Sequence, residues 1–290
     1  MLISALLTGL VLGGTYALVA MGLTLQYGVA RIMNLSYGDV IIAAAFGAFV
    51  LFNSFGISPL LGLIIVVPAG FGLSYLIYGL ILAPLARRAQ NAGQLEVDSI
   101  LATFGLLFVI QGVALVWFGS GYVSYTYLAV PVEILGVAIA ANRLLALGLA
   151  VAIGGGLYLL LTRTRWGTAV RAVAVAPDSA PLVGIDVARV SRFAFALGGA
   201  LAASGGAVLS MFLTFNATAG VVFTMKALIV VILGGVGNLM GVLVAGLILG
   251  VVETLVATFI DPGLTLAATY LIFLLMLIVR PTGLFGRSAR

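Results

Sequence analysis

The chain has 290 residues, of which 63% are hydrophobic and only 7% are charged, and its formal net charge is +5. A water-soluble domain carries about 25% charged residues, so this composition excludes a soluble protein, and it excludes disorder because disorder requires low hydrophobicity. The absence of His and Cys excludes disulfides, thiol nucleophiles, Ser–His pairs and His or Cys metal sites. The composition predicts a membrane protein with no catalytic residues and no metal site, and its scattered basic residues do not indicate a nucleic-acid partner.

Long apolar runs with few charges predict the membrane-spanning helices, because about 20 apolar residues cross the hydrocarbon layer and the backbone there must satisfy its own hydrogen bonds. In chain order these runs are 2–23, 36–53, 58–84, 99–118, 143–162, 193–213, 222–236, 239–259 and 263–279. The predicted fold class is an all-α polytopic membrane protein with about 8–9 transmembrane helices, the number being open between 222 and 259.

The basic residues predict the orientation, because Lys and Arg favour the cytoplasmic side of a membrane. With the spans above, eleven of the thirteen basic residues fall on one side. They are Arg31, Arg87, Arg88, Arg163, Arg165, Arg171, Arg189, Arg192, Arg280, Arg287 and Arg290. This distribution predicts the amino terminus outside and the carboxyl terminus inside. Arg143 and Lys226 are then outside, and Lys226 is expected to extend its ammonium group to the outer interface.

Glycines recur at four-residue spacing, which places two small residues on one face of a helix. Such spacing favours close helix packing in lipid and specifies no function by itself. The pairs are Gly9 with Gly13, Gly237 with Gly241, and Gly246 with Gly250.

Two polar or glycine-rich breaks interrupt the apolar pattern, one in each half of the chain. Residues 34–39 (Asn-Leu-Ser-Tyr-Gly-Asp) precede one apolar run, and residues 234–238 (Gly-Gly-Val-Gly-Asn) precede another. Interrupted apolar segments at corresponding positions of two halves indicate a transport pathway built from inverted repeats. Ordinary turns at the bilayer surface are the alternative. The candidate pathway residues in these breaks are Asn34, Ser36, Tyr37, Gly38, Gly234, Gly235, Gly237 and Asn238.

Polar and charged side chains near the spans are few. Asn34 or Ser36 is expected to cap the following helix, and Asp39 at the helix start is favoured by the helix dipole, which indicates a local role. Glu253 lies within a predicted helix, where an ionised carboxylate costs at least about 2–3 kcal/mol. It should therefore face the bundle interior, either in a structural ion pair or in a pathway or gating role.

Residues 163–192 form a sizeable non-membrane segment on the predicted inner side. Pro177 is suited to a first helical turn with Asp178 beside it, and Gly184 is suited to end the helix, so 177–183 is expected to form a short helix along the membrane face. Its apolar residues would then be exposed, unless the helix packs on its own bundle or lies in the headgroups, and they suggest a docking site for a cytoplasmic partner. These residues are Ala180, Leu182, Val183 and Ile185.

The chain resembles the shorter permease subunit of the branched-chain amino-acid ABC importers nearly end to end. The similarity is carried by motifs in a specific order, rather than by any one of them. In the first half, these motifs are residues 15–18 and 22–28, Asn34–Gly38, and Ile100–Gly105, which includes Thr103. In the second half, they are Arg163–Gly167 and Arg171–Ala172, Ala180 and Gly184–Ile185, Lys226–Ala227, Gly234–Asn238 and Gly241, Glu253, and 280–286 (Arg-Pro-Thr-Gly-Leu-Phe-Gly).

This resemblance implies an inverted-repeat permease bundle in which residues 1–290 form a single transmembrane domain with a cytoplasmic coupling loop at 163–192. It implies membrane lipid around the bundle and four partner subunits, namely a second, homologous but longer permease, two cytoplasmic ATPases and an extracytoplasmic solute-binding protein. The localisation implied is a bacterial-type inner membrane. By the resemblance, 177–185 enters a cleft of one ATPase, with Arg171, Pro177, Asp178, Ala180, Gly184 and Ile185 as coupling residues. Thr103 and Glu253 join the candidate pathway residues.

The chain has no GxxxxGK[ST] phosphate loop, so it is expected to bind no cofactor and to hydrolyse no ATP, being a transporter subunit rather than an enzyme. Branched-chain amino acids are the expected solute, and urea, short amides or aromatic acids stay open. An ion-coupled secondary transporter is the alternative function, and it would need coordinating carboxylates or backbone breaks at mid-membrane. An intramembrane enzyme would need a pair such as Ser and Lys, and Lys226 has no evident Ser partner.

Overall fold

The structure is a computed structural model that describes residues 1–134, 136–280 and 282–286, with Arg287 and Arg290 of the basic tail and Pro281 of the last motif outside the described residues. The first half contains α1 (Leu2–Ala30), α2 (Tyr37–Phe55), α3 (Pro59–Ile77), α4 (Ala83–Arg88), α5 (Ala92–Phe118), β1 (Pro131–Ile134) and β2 (Val137–Ala140). The second half contains α6 (Ala141–Arg163), α7 (Arg165–Val175), α8 (Val187–Leu209), α9 (Gly220–Gly234), α10 (Leu239–Phe259) and α11 (Thr265–Val279).

Eight helical segments within the described ranges are long and apolar enough to cross a membrane. α3 and α4 count as one of them, because a π-helical turn at Tyr78–Leu82 joins them into a single rod, Pro59–Arg88. α9 is a ninth, shorter apolar helix of 15 residues. At 1.5 Å per residue it is about 22 Å long, which is less than the roughly 30 Å hydrocarbon layer. The predicted polytopic all-α fold is confirmed, and the open region between 222 and 259 contains one short helix and one full span.

α1 is the centre of the bundle and packs against α6, α8, α9 and α10. Its contact with α10 depends on the glycine pairs, since a Cβ built on Gly13 would lie 2.7 Å from Leu247 Cα and one built on Gly250 would collide with the Gly13 backbone. The expected packing role of Gly9, Gly13, Gly246 and Gly250 is confirmed. The prediction that Gly237 and Gly241 share a helix face was wrong, because Gly237 precedes α10 in a turn with φ +81°.

The bundle has two ends, which we name by their contents. The amino-terminal face holds the start of α1 and residues 119–134 and 136–140, in which β1 and β2 pair antiparallel with Pro131 opposite Ala140. The loop face holds Arg31, the segment between α6 and α8, and Phe285 and Gly286, which follow α11. The grouping of Arg31 with Arg171 on one face agrees with the charge pattern, while the direction of the chain across the membrane stays a prediction.

Candidate functional site

The break at residues 34–39 is folded into the bundle interior rather than onto the membrane surface. Asn34, Ser36 and Asp39 are each no more than 3% exposed. The Asn34 amide donates to Gln26 Oε1 (2.9 Å), and Gln26 Nε2 donates in turn to the Phe195 carbonyl of α8 (3.0 Å). Buried amides require such partners because an unpaired polar group in an apolar interior is costly. The network therefore ties the α1–α2 connection to α8.

Neither expected cap of α2 bonds to the helix start. Ser36 occupies the N-cap position without a side-chain cap hydrogen bond. Asn34 Oδ1 instead accepts from the backbone N–H of Ser36 (3.1 Å) and from its hydroxyl (2.8 Å). This local turn, typical of Asn, holds the chain in the tight bend that brings α2 back into the bundle.

Two threonine hydroxyls hold the backbone of the break in place from neighbouring helices. Thr103 Oγ1 of α5 accepts from the Leu35 N–H (3.1 Å). Thr224 Oγ1 of α9 accepts from the Gly38 N–H (2.8 Å) and donates to the Leu35 carbonyl (3.1 Å). Thr103 is a predicted pathway residue that the fold does bring to the break, whereas Thr224 was missed because an isolated threonine in an apolar run carries no distinct signal.

Tyr37 is fully buried between α1 and α8, with its hydroxyl donating to the Val19 carbonyl at 2.6 Å. The space for this ring exists because α1 has glycine at position 22, where a Cβ would collide with the Tyr37 hydroxyl. Asn34, Ser36, Tyr37 and Gly38 thus form one buried cluster, and their role in a pathway stays a prediction.

The amino-terminal ends of α2 and α9 meet inside the bundle, and we call this contact the half-helix junction (Tyr37–Asp39 with Gly220 and Thr224). A Cβ on Gly38 would collide with the Gly220 carbonyl, and a Cβ on Gly220 would collide with the Asp39 carboxylate. Among the described residues, neither carboxylate oxygen of Asp39 has a hydrogen-bond partner. The starts of α2 and α9 both lie next to the buried Asp39 carboxylate. Helix amino termini carry partial positive charge, which is favourable beside a carboxylate. Of the two, α9 is short and α2 is long enough to cross the membrane. Short helices whose amino termini point into the interior are typical of inverted-repeat transporters.

The second predicted break, Gly234–Asn238, does not join this junction and lies at the loop face. Asn238 caps α10, since its Oδ1 accepts from the Gly241 N–H (3.1 Å), and its amide donates to the Phe285 carbonyl (3.2 Å). Gly235 has φ +95°, and a Cβ on Gly234 would lie 2.5 Å from the Val242 nitrogen. The pattern of two breaks is present, but the partner of residues 34–39 in the second half is the start of α9 at Gly220.

Lys226 and Glu253 form an ion pair inside the bundle. Lys226 Nζ donates to Glu253 Oε1 at 2.6 Å and to the Tyr16 hydroxyl at 2.7 Å, which joins α9, α10 and α1. Both charged side chains are 11% exposed. The prediction that Lys226 reaches the outer interface was wrong, because it is the seventh residue of α9 and neighbouring helices enclose it. The structural pairing considered for Glu253 is present, and a gating role for it stays a prediction.

The coupling loop differs in its local structure from the expected single helix at 177–183. α7 occupies Arg165–Val175, Pro177–Ser179 form a turn, and a 3₁₀ helix of four residues follows at Ala180–Val183. The predicted helix start at Pro177 was wrong, because Pro177–Ser179 form a turn and the 3₁₀ helix begins at Ala180. The Thr164 hydroxyl caps α7, accepting from the Gly167 N–H at 3.0 Å. Gly184, with φ +78°, ends the 3₁₀ helix as expected.

The exposure of the loop residues is more selective than expected. Leu182 and Val183 are 86% and 74% exposed, but Ala180 is 3% exposed and belongs to the core, and Ile185 packs against that core. Asp178 and Arg171 are exposed and Pro177 is half-buried. The large exposed apolar side chains of the 3₁₀ helix are therefore Leu182 and Val183, which we call the coupling tip, and the buried Ala180 anchors this helix to the bundle.

Next to the loop lies a cavity of about 800 Å³, open at the loop face. The last turns of α1, the first turns of α5, and α6, α7 and the turn before α10 form its wall. Of the predicted site residues, Arg171, Gly237 and Asn238 line it. It therefore brings one coupling residue together with two residues of the second break.

Residues 5–280 match the family described as branched-chain amino acid transport system / permease component. The high-affinity branched-chain amino acid transport system permease protein LivH of Salmonella typhimurium is 29% identical over 290 residues, covering 96% of this chain and 94% of that protein. BraD of Pseudomonas aeruginosa, with the same description, is 27% identical and covers 97% of this chain and 95% of that protein. A probable branched-chain amino acid transport permease protein LivH of Methanocaldococcus jannaschii is 28% identical, with 84% and 77% covered.

Among solved structures, PsaBC from Streptococcus pneumoniae in complex with Fab superposes with a TM-score of 0.51 at 15% identity, over 98% of this chain and 93% of that chain. That identity supports a similar fold and nothing further. The family match covers nearly the whole sequence, and the relatives align over nearly their whole lengths. The chain therefore belongs to the family of permease components of branched-chain amino acid transport systems.

Proposed function

We propose that this chain is a membrane-spanning subunit of an ATP-driven importer for branched-chain amino acids. The observation that carries the proposal is the coupling tip: two apolar side chains exposed on a loop whose base is buried in the bundle. Apolar side chains presented in this way are typical of protein contacts. The relatives are described as permease proteins of branched-chain amino acid transport systems, which supports the solute class.

The energy source in this proposal is a pair of cytoplasmic ATPase subunits, because the chain contains no GxxxxGK[ST] motif for ATP. The loop face is then cytoplasmic, with the amino terminus outside and the carboxyl terminus inside. A second permease subunit completes the pathway, and an external binding protein delivers the solute. Residues 1–290 act as one permease domain, with 163–192 as its coupling loop.

The packing offers a mechanical route from the coupling tip to the half-helix junction. Ala180 lies in the core, and α8 begins shortly after it at Val187. α8 then carries the Phe195 carbonyl that binds Gln26, and through Gln26 and Asn34 it reaches the start of α2. A displacement of the tip by an ATPase would therefore move α8 and with it the junction, which is the rigid-body motion expected of alternating access.

The test is uptake of radiolabelled leucine by cells that carry the complete importer, with this chain deleted and then restored. We expect uptake to be lost on deletion, to return with the wild-type chain, and to cease when cellular ATP is depleted. The ion-coupled alternative, which the family match does not support, predicts instead that proteoliposomes of this chain alone accumulate leucine under a sodium or proton gradient. Such accumulation would contradict the proposal.

A further inference from the structure

The cavity at the loop face has no part in the function proposed above, although it is large and carries charges of both signs. Its wall is formed by the last turns of α1, the start of α5, α6, α7 and the turn before α10. A concave site with an apolar wall and a few polar groups is typical of small-molecule binding.

Three charged side chains line the cavity: Arg31, Arg171 and Glu96. Among the described residues, none of the three forms an ion pair within 4 Å. The Tyr27 hydroxyl donates to Glu96 Oε1 (3.0 Å), which holds the carboxylate at the wall. The second oxygen, Oε2, accepts no hydrogen bond from the described part of the chain and is available to a cationic group. The cavity thus offers guanidinium donors for an anion and a carboxylate acceptor for a cation.

The backbone at Arg31 adds an independent observation. Arg31 ends α1 in the left-handed conformation, with φ +55°, at a position where glycine is usual. A non-glycine residue in this region carries a conformational cost, and such positions cluster at ligand sites. The strained backbone therefore supports a ligand-binding role for the Arg31 guanidinium, which lies at the cavity.

The rest of the wall combines polar, aromatic and glycine residues with several aliphatic side chains, among them Leu25, Val29, Leu161 and Val170. A ligand that satisfies the whole cavity carries a carboxylate, an ammonium group and a branched aliphatic chain. Arginine binds carboxylates through paired hydrogen bonds, Glu96 accepts from the ammonium group, and the aliphatic wall takes the side chain. These three features together describe a free aliphatic α-amino acid.

We propose that this cavity is a binding site for a free aliphatic α-amino acid that enters from the loop face, with its carboxylate on the arginines and its ammonium group on Glu96. The identity of this ligand as the transported solute rests on the proposed function. Because α7 contributes to the cavity and is itself part of the coupling loop, a bound amino acid restrains the loop. The site thereby slows import when the solute has accumulated on that side.

The first experiment measures binding of radiolabelled leucine to the purified chain in phosphatidylcholine nanodiscs. We expect saturable binding that weakens at least about tenfold in Arg31→Gln and in Glu96→Gln, since each removes a charge-assisted hydrogen bond. Glu133→Gln, an exposed residue at the amino-terminal face, is the matched control and should bind as the wild type. Isovalerate lacks the ammonium group and isoamylamine lacks the carboxylate, so both should compete much more weakly than leucine.

Absent leucine binding, or binding that the two variants leave unchanged, would overturn the proposal. Equal competition by isovalerate would identify a simple anion site instead, and loss of leucine binding in phosphatidylethanolamine nanodiscs would identify a lipid headgroup as the occupant. Uptake by the complete importer separates this inference from the proposed function. If the chain transports leucine but does not bind it at this cavity, only the inference fails. In that case, leucine preloaded on the loop-face side should inhibit uptake by the Glu96→Gln importer to the same extent as uptake by the wild type.

Discussion

Lys226 and Glu253 lie 27 residues apart in the sequence and meet at 2.6 Å inside the helix bundle. Between their helices lies the Gly234–Asn238 turn, so the ion pair closes the α9–α10 hairpin away from its turn, and Tyr16 fastens the hairpin to α1. One carboxylate oxygen of Glu253 has no partner among the described residues. The pair satisfies two charges that neither lipid nor the apolar core would accept alone.

Removing one partner of this pair should destabilise the protein strongly. Lys226→Met leaves a buried carboxylate unpaired, and Glu253→Gln removes the counter-charge of Lys226, so each should cost about 3–5 kcal/mol. The measurement is thermal unfolding of the purified protein in detergent. Arg189→Gln is the control, because its pair with Asp186 is exposed and 3.8 Å long and should contribute less than about 1 kcal/mol. Equal melting temperatures for all three variants would show that the buried pair is energetically unimportant.

The coupling tip should tolerate charge in the isolated protein but not in the working importer. Leu182→Asp should leave the melting temperature nearly unchanged, because the side chain is 86% exposed. It should lower leucine uptake by about tenfold or more, since an apolar contact residue is replaced by a charge that must be desolvated.

Ala180→Asp provides the contrast within the same loop. Ala180 is buried, so this variant should unfold at a lower temperature and lose transport through instability, because it places an unpaired charge in the core. Normal uptake by Leu182→Asp, at normal membrane levels, would exclude the tip as the ATPase contact.

The half-helix junction should not accept a single added methyl group. Gly38→Ala should lower the melting temperature and transport, because its Cβ would collide with the Gly220 carbonyl, a backbone atom that cannot rotate away. Gly112→Ala in α5 is the matched control, since nothing lies within 4 Å of its Cβ and alanine favours a helix over glycine by about 1 kcal/mol. If both variants melt alike, α2 and α9 do not meet as closely as the structure has them.

The Thr224 hydroxyl should be needed for the same junction. Thr224→Val removes the acceptor of the Gly38 N–H and the donor to the Leu35 carbonyl, and a buried unsatisfied group costs about 1–3 kcal/mol. Thr224→Ser retains the hydroxyl and should stay close to the wild type. Thermal unfolding compares the two, and a melting temperature of Thr224→Val equal to that of the wild type would show that these hydrogen bonds contribute little to stability.

The orientation can be tested directly because the chain has no Cys, so that a single introduced cysteine is the only labelled site. Cysteine at Ser179, which is exposed on the loop face, should react with a membrane-impermeant maleimide from the cytoplasm. Cysteine at Tyr122, which is 78% exposed at the other face, should react from outside. The reverse accessibility would show that the charge distribution gives the wrong orientation.

Hydropathy and charge were sufficient to predict the membrane class, most of the spans and the grouping of Arg31 with Arg171, because both depend on the composition of short local windows. The order of motifs was sufficient for the family. The packing role of the glycine pairs in α1 and α10 could also be predicted, since four-residue spacing defines a helix face without knowledge of the partner helix. Each of these properties depends on a single helix or segment and not on contacts between helices.

Only the tertiary structure decided which residues on different helices become interaction partners. No local window relates Lys226 to Glu253, Thr224 to Gly38, or Gln26 to Phe195, since contacts between helices depend on how the whole bundle packs. The start of α9 meets residues 34–39 inside the bundle, and no composition signal marks Gly220 for that role. In the same way, Ala180 and Leu182 have similar apolar character, and only the packing of the loop on the bundle makes one a core residue and the other an exposed tip.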